Sequence, residues 1–97
     1  MRATKEGLLT MEQDIRSAVK TYVLKEFLPG EDPDELKDDT ALITTGILDS
    51  LATLKLVAFV EDRYGVTFQA HEVDREHLNT ISDISSLVLS KLSRRSR

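Results

Sequence analysis

The sequence predicts an all-α fold, a four-helix bundle with three main helices, one short helix and a long first loop. Three observations carry that expectation. Apolar residues recur at helical spacing in three separate stretches, as one buried helix face requires. Helix-capping residues or a Pro-Gly or Gly signal stand at the ends of those stretches. The one extended-looking piece, Val66-Thr67-Phe68, is too isolated to build a sheet. A chain of 97 residues with 40% hydrophobic content supports one small domain. Aromatics are only 5% and Trp is absent, so the core must be built from Leu, Ile and Val.

Residues 1–9 show no clear period and are expected to be a flexible N-terminal tail. Thr10 and Gln13 fit a capping box, in which each side chain reaches a free N–H at the helix start. Ile15, Val19, Tyr22 and Val23 follow at helical spacing, and Pro29-Gly30 closes the segment. A first helix over about Met11 to Phe27 results. The connection from Pro29 to Asp49 is long for a compact domain, which implies that it is functional or pinned to the core. Its apolar residues Leu42, Ile43, Ile47 and Leu48 argue for pinning, with a short helical turn around Asp34 to Lys37. The second helix is expected over Ser50 to Tyr64, ended by Gly65. Leu51, Leu54, Val57, Ala58 and Glu61 share one side of it; Leu56, Phe59, Val60 and Arg63/Tyr64 share another. A surface helix needs one apolar stripe, so the surplus near Leu51 and Leu54 is either a partner contact or covered by the preceding loop. His71 to Glu76 reads as one or two helical turns. Asn79 or Thr80 caps the last helix, and Thr80 with Asp83 repeats the capping box. Ile81, Ile84, Leu87, Val88 and Leu92 form its apolar face. A domain over 10–93 and a short basic tail over 94–97 complete the organisation.

Charge narrows the function classes. Net charge is −4, and acids crowd the middle: Glu26, Glu31, Asp32, Asp34, Glu35, Asp38, Asp39 and Asp49 stand against Lys37 alone. Nucleic acid is not expected as a partner, because it requires a basic face to displace counterions. A protein with a basic docking patch suits the segment, as does plain solvation. No apolar run spans a membrane; the longest is Leu56 to Val60. The N-terminus lacks the apolar core of a signal peptide, so cytoplasm is the expected location. There is no cysteine, so any thiol chemistry must come from a cofactor.

Gly46-Ile47-Leu48-Asp49-Ser50-Leu51 places a serine hydroxyl where the charged loop gives way to the second helix. A helix start has unpaired N–H groups and the positive end of the macrodipole. A serine there can carry a phosphate diester at low electrostatic cost. That suits a carrier of a prosthetic arm better than a chain using its own side chains for catalysis. The plain alternative is that Ser50 only caps the helix.

From Met11 to Leu92 the chain resembles the acyl carrier protein family, which includes peptidyl carrier proteins. The resemblance rests on four features in order: Gly46 to Leu51, the helix Leu54 to Tyr64, Gly65-Val66-Thr67-Phe68 with the acidic turn after it, and Asn79-Thr80-Ile81-Ser82-Asp83-Ile84. It implies that Ser50 bears 4'-phosphopantetheine, transferred from coenzyme A by a phosphopantetheinyl transferase, and that the chain is a phosphoprotein rather than an enzyme. The arm's thiol would carry acyl or aminoacyl groups as thioesters between a loading ligase or acyltransferase and downstream synthase enzymes. Asp49 would assist recognition by the transferase and partners, and Leu51 and Leu54 match positions that meet partner enzymes. Ala52 and Lys55 stand where fatty-acid carriers have carboxylates, and two residues separate Gly46 from Asp49 where those carriers commonly have one. That pattern looks like free-standing carriers loaded by a separate adenylating ligase. The resemblance implies a discrete acyl carrier of a natural-product, polyketide or lipid pathway, with an aminoacyl, peptidyl or D-alanyl carrier as the alternative; a monomer is the simplest expectation.

Two rival classes remain. A serine hydrolase needs an elbow motif and room for a cleft, and the chain has no Gly-x-Ser-x-Gly. His71 and His77 are its only histidines, and His71 with Glu72 and Asp74 makes a poor metal cluster. The acidic run Glu31 to Asp39 lacks EF-hand spacing and its central glycine. An unmodified helical adaptor that binds through Leu51 and Leu54 is the second rival.

Overall fold

The computed structural model describes residues 5–95, with side chains from Thr10 to Ser93. Helix α1 spans Lys5–Phe27, α2 Ser50–Tyr64, α3 Arg75–Leu78 and α4 Ile81–Arg95, with 3₁₀ turns at Pro33–Glu35 and Ala70–Glu72. The bundle is all-helical among the described residues, as the spacing predicts. Helix α1 packs mainly on α4 and also on α2, and short α3 leans on α4.

The apolar stripes explain the packing. Ile15, Val19 and Val23 stand four residues apart on α1 and are fully buried. They meet Ile81, Ile84 and Val88 of α4 in one core with Leu56 and Val60 of α2. Tyr22 lies outside that line, half buried, and stacks on Phe59 of α2 with ring centroids 4.2 Å apart.

Several expectations need correction. Helix α1 starts at Lys5, so residues 5–9 are helical backbone rather than tail, and Thr10 lies inside the helix instead of capping it. Periodicity marks where a helix is buried, and Lys5 to Leu9 contribute too few apolar residues to show one. Residues 1–4 lie outside the described residues, as do 96 and 97 of the basic tail; helix α4 runs on to Arg95. The turn expected at Asp34 to Lys37 is the shorter Pro33–Glu35, starting one residue earlier, because Asp32 caps it by accepting the Asp34 N–H at 2.9 Å. On α2 the buried stripe is Ala52, Thr53, Leu56, Val57 and Val60, so Val57 faces the core rather than joining Leu51 and Leu54.

The long loop is pinned, and the pin is polar as well as apolar. Leu36, Leu42 and Leu48 are fully buried in the core. Asn79, one of the two candidate caps of α4, serves the loop instead. Its side-chain oxygen accepts the N–H groups of Ile43 at 2.9 Å and Thr44 at 3.1 Å, and its carbonyl accepts that of Leu42 at 2.6 Å. Thr80 takes the cap, accepting the Asp83 N–H at 2.9 Å. The Asp38 carbonyl accepts the Ser82 N–H at 3.0 Å, so the loop also satisfies an orphan donor of α4. Arg16 of α1 adds a third tie through Asp38 at 3.3 Å and Ser85, the fully buried hydroxyl of α4, at 3.4 Å.

Asn79→Ala leaves two loop N–H groups without their acceptor, and each such loss costs about 1–3 kcal/mol where water cannot replace it. Urea denaturation should show a loss of about 2 kcal/mol, and amide exchange at Ile43 and Thr44 should speed up more than in the core of α1. Unchanged exchange at those two amides would contradict the clasp.

Candidate functional site

The start of α2 is built from the loop upward. Gly46 turns the chain with φ of +85°, a left-handed conformation that L side chains rarely adopt, although no atom lies within 4 Å of where its Cβ would be. The constraint at that position is therefore backbone conformation and not space. Leu48 follows, buried, with its N–H bonded to the Leu42 carbonyl at 2.9 Å. The pinned residues on either side fix where Asp49 and Ser50 emerge.

Asp49 is the N-cap. Its carboxylate accepts the Ala52 N–H at 2.8 Å, and its carbonyl accepts both the Thr53 N–H at 2.9 Å and the Thr53 hydroxyl at 2.8 Å. Ser50 is the first helical residue and is exposed. Its hydroxyl has no hydrogen-bond partner among the described residues, and neither do the N–H groups of Ser50 and Leu51. Capping was the plain alternative for Ser50, and the neighbouring aspartate performs it. Leu51 and Leu54 are 62% and 57% exposed, so the loop does not cover them. Exposed Lys55 continues that face.

A groove of about 500 Å³ runs from Ser50 and Leu54 across to Val73, Asp74 and Arg75. The stretch expected as one or two helical turns is two, broken at Asp74. The Asp74 carboxylate caps α3 by accepting the His77 N–H at 3.0 Å and also meets His77 Nδ1 at 2.8 Å. The hydrogen bond with His77 holds the Asp74 carboxyl below its ordinary range, and the same bond raises His77. On the far side of that turn, Glu72 is buried and accepts from Lys91 Nζ of α4 at 2.7 Å and from the Gln69 N–H at 2.8 Å. Those bonds, led by the one from Lys91, lower the Glu72 pKa. Lys91 also lies 5.1 Å from the Phe68 ring centroid, which anchors the segment after α2. The Asp74–His77 cap and the Glu72–Lys91 pair escaped the sequence reading; the only hint was an aspartate three residues before a histidine. Among the described residues no group of three or more His, Cys, Asp or Glu could hold a metal ion, and no helix is long and apolar enough to cross a membrane.

A small helical bundle presenting an exposed, unpartnered serine at a capped helix start has the form of a carrier for a covalently attached group. The chain belongs to the phosphopantetheine attachment site family, whose pattern it matches over residues 23–88. It is a carrier protein, non-catalytic, with covalent 4'-phosphopantetheine as its cofactor. It is similar to the D-alanyl carrier protein of Streptococcus suis (strain 98HAH33), 32% identical over 76 residues that span 78% of this chain and 92% of the relative. It also resembles a non-reducing polyketide synthase of Didymella fabae, 35% identical over 77% of this chain but only 3% of that far longer protein. Among solved structures, apo KstB-PCP superposes with a TM-score of 0.68 and 33% identity, covering 81% of this chain and 87% of the other.

Two outcomes follow from the caps. Asp49→Ala should cost about 1 kcal/mol of stability by denaturant melt, the usual worth of an N-cap. The Asp74–His77 pair is complete only when Asp74 is ionised and His77 protonated. His77, raised above 6.5, contributes fully below that value and loses its contribution as pH climbs through its folded pKa. Asp74, lowered below 3.8, contributes above that value and loses it as pH falls through its folded pKa. An NMR titration should therefore place His77 above 6.5, and Asp74→Asn should bring it down; no change in that variant would remove the pairing.

Proposed function

We propose that Ser50 is the attachment residue and that the chain is a free-standing carrier loaded by a separate adenylating ligase. The observation that supports this most is the division of labour between Asp49 and Ser50. The aspartate satisfies the cap, so the serine oxygen stays exposed and unbonded beside two unpartnered N–H groups. Those groups and the helix dipole favour an anion on that oxygen. When attached, the arm supplies the thiol that this cysteine-free chain lacks, and that thiol holds cargo as a thioester.

The cargo reading with the most support is an amino acid or peptide, the alternative in the sequence reading. It draws on the D-alanyl carrier relatives and on the likeness to apo KstB-PCP. A second reading, an acyl or polyketide intermediate of a specialised pathway, draws on the fungal synthase relative. Under either, a phosphopantetheinyl transferase and a loading enzyme meet Asp49, Leu51 and Leu54, and downstream synthase enzymes take the cargo. The exposed leucines give those partners an apolar contact, and the cap keeps the helix end rigid while they bind. A cytoplasmic monomer is the setting this reading assumes.

Intact-mass spectrometry after incubation with coenzyme A, magnesium and a broad-specificity phosphopantetheinyl transferase tests the attachment. The wild-type chain should gain one phosphopantetheine, and Ser50→Ala, still folded by circular dichroism, should gain none. A gain retained in that variant would move the site elsewhere. Loading of the holo protein by amino-acid ligases against acyl ligases then separates the two cargo classes.

A further inference from the structure

We infer that a recess beside the C-terminal end of α1 is a docking point for a long basic side chain, arginine or lysine, of a partner protein. The recess holds about 240 Å³ and lies between the end of α1 and the loop that leads to Ser50. Its wall carries Leu24, Leu28 and Ile47, all only partly buried although they pack against the core. Glu31, Asp32 and Glu35 stand around it, and all three are exposed.

Two features fix the chemistry of the occupant. The volume of about 240 Å³ lies below the ~300–1,000 Å³ of clefts that bury drug-sized ligands and matches the scale of one long side chain. None of the three carboxylates forms a salt bridge among the described residues; the nearby cation Lys37 is bonded to the Asp34 carbonyl at 3.4 Å. An apolar wall with an un-neutralised acidic rim is complementary to a side chain with an aliphatic stem and a cationic head. Lys and Arg have that build, and Arg adds a planar fork matched to carboxylates. The outer face of α2 offers the opposite pattern, with Leu51, Leu54 and Lys55 exposed. A partner reading both faces therefore needs a basic anchor on one side and an apolar patch on the other. The inference does not depend on Ser50 being modified.

The test uses the unmodified full chain, labelled with nitrogen-15, and hexylguanidinium as the probe. Hexanol and guanidinium ion serve as separate controls for stem and head. Saturable amide shifts at Leu24, Leu28, Glu31 and Ile47 are expected with hexylguanidinium, weakening as salt rises. Glu31→Gln with Glu35→Gln should weaken that binding at least threefold; Asp32 is left in place because it caps the turn. Equal shifts with hexanol would reduce the recess to a greasy patch and overturn the charge argument. Shifts spread evenly over all acidic residues, or none that saturate, would overturn the recess as a site. Failure here leaves Ser50 loading untouched, and failure of loading leaves this result standing.

Discussion

Asn79 holds the loop before α2 in place. One residue accepts three consecutive loop N–H groups, those of Leu42, Ile43 and Thr44, through its side chain and its own carbonyl. A loop from Pro29 to Asp49 has many backbone groups to satisfy, and a buried unpaired N–H is costly. The clasp meets that demand at the point where the loop dives under the core with Leu42 and Leu48. It also couples distant parts of the chain, because Asn79 immediately precedes the cap of α4. The entrance to α4 and the entrance to α2 are thus fixed against each other. Side-chain burial alone would hold the loop down without setting its register; directional hydrogen bonds set it.

The start of α2 depends on that register. With Leu48 seated, Asp49 reaches the Ala52 N–H and the serine after it points away from the core. Shifting the chain by one residue would exchange the two roles, with Ser50 capping and Leu51 first in the helix. The hydroxyl would then be spent on the backbone. An exposed serine oxygen on a capped helix end therefore follows from a clasp formed between loop residues 42–44 and Asn79. Rigid scaffold and exposed group are separate requirements, and here they are met by separate residues.

Much of this was legible in the sequence, and the illegible part has a physical pattern. The bounds of α2 could be read to the residue because the charged loop gives way to a helix-period apolar run at Ser50 and Gly65 ends it; that Asp49 rather than Ser50 caps the start is the structure's finding. The start of α1 could not, since nothing in Lys5 to Thr10 marks a boundary and α1 continues through them. The Thr80 cap was among the readings, yet Asn79 looked like an equal candidate. Its real partners lie 35 and 36 residues away, and no local motif encodes them. The same holds for Glu72 with Lys91, and for Val57, whose side of the helix was settled by where its neighbours packed. Local chemistry is written in the order of residues; polar contacts between distant segments are not.

If Ser50 bears the arm, as proposed, electrostatics explain how it would be presented without being trapped. Asp49 lies next to Ser50 in sequence, and Asp74 and Arg75 line the groove beside it. A phosphodiester on Ser50 would thus have one guanidinium and two carboxylates for neighbours. The Asp49 charge is partly absorbed by the Ala52 N–H it caps, and that of Asp74 by His77. All of these groups are solvated, where a single ion pair contributes only ~0–1 kcal/mol. Attraction to the helix start and to Arg75, and repulsion from the carboxylates, are then each small. A deeper basic pocket would hold the phosphate and with it the first part of the arm. A surface on which each contribution is small would let an anchor on Ser50 sit at the helix end while the rest stays free to reach a partner, which is what a carrier requires and a binding protein does not.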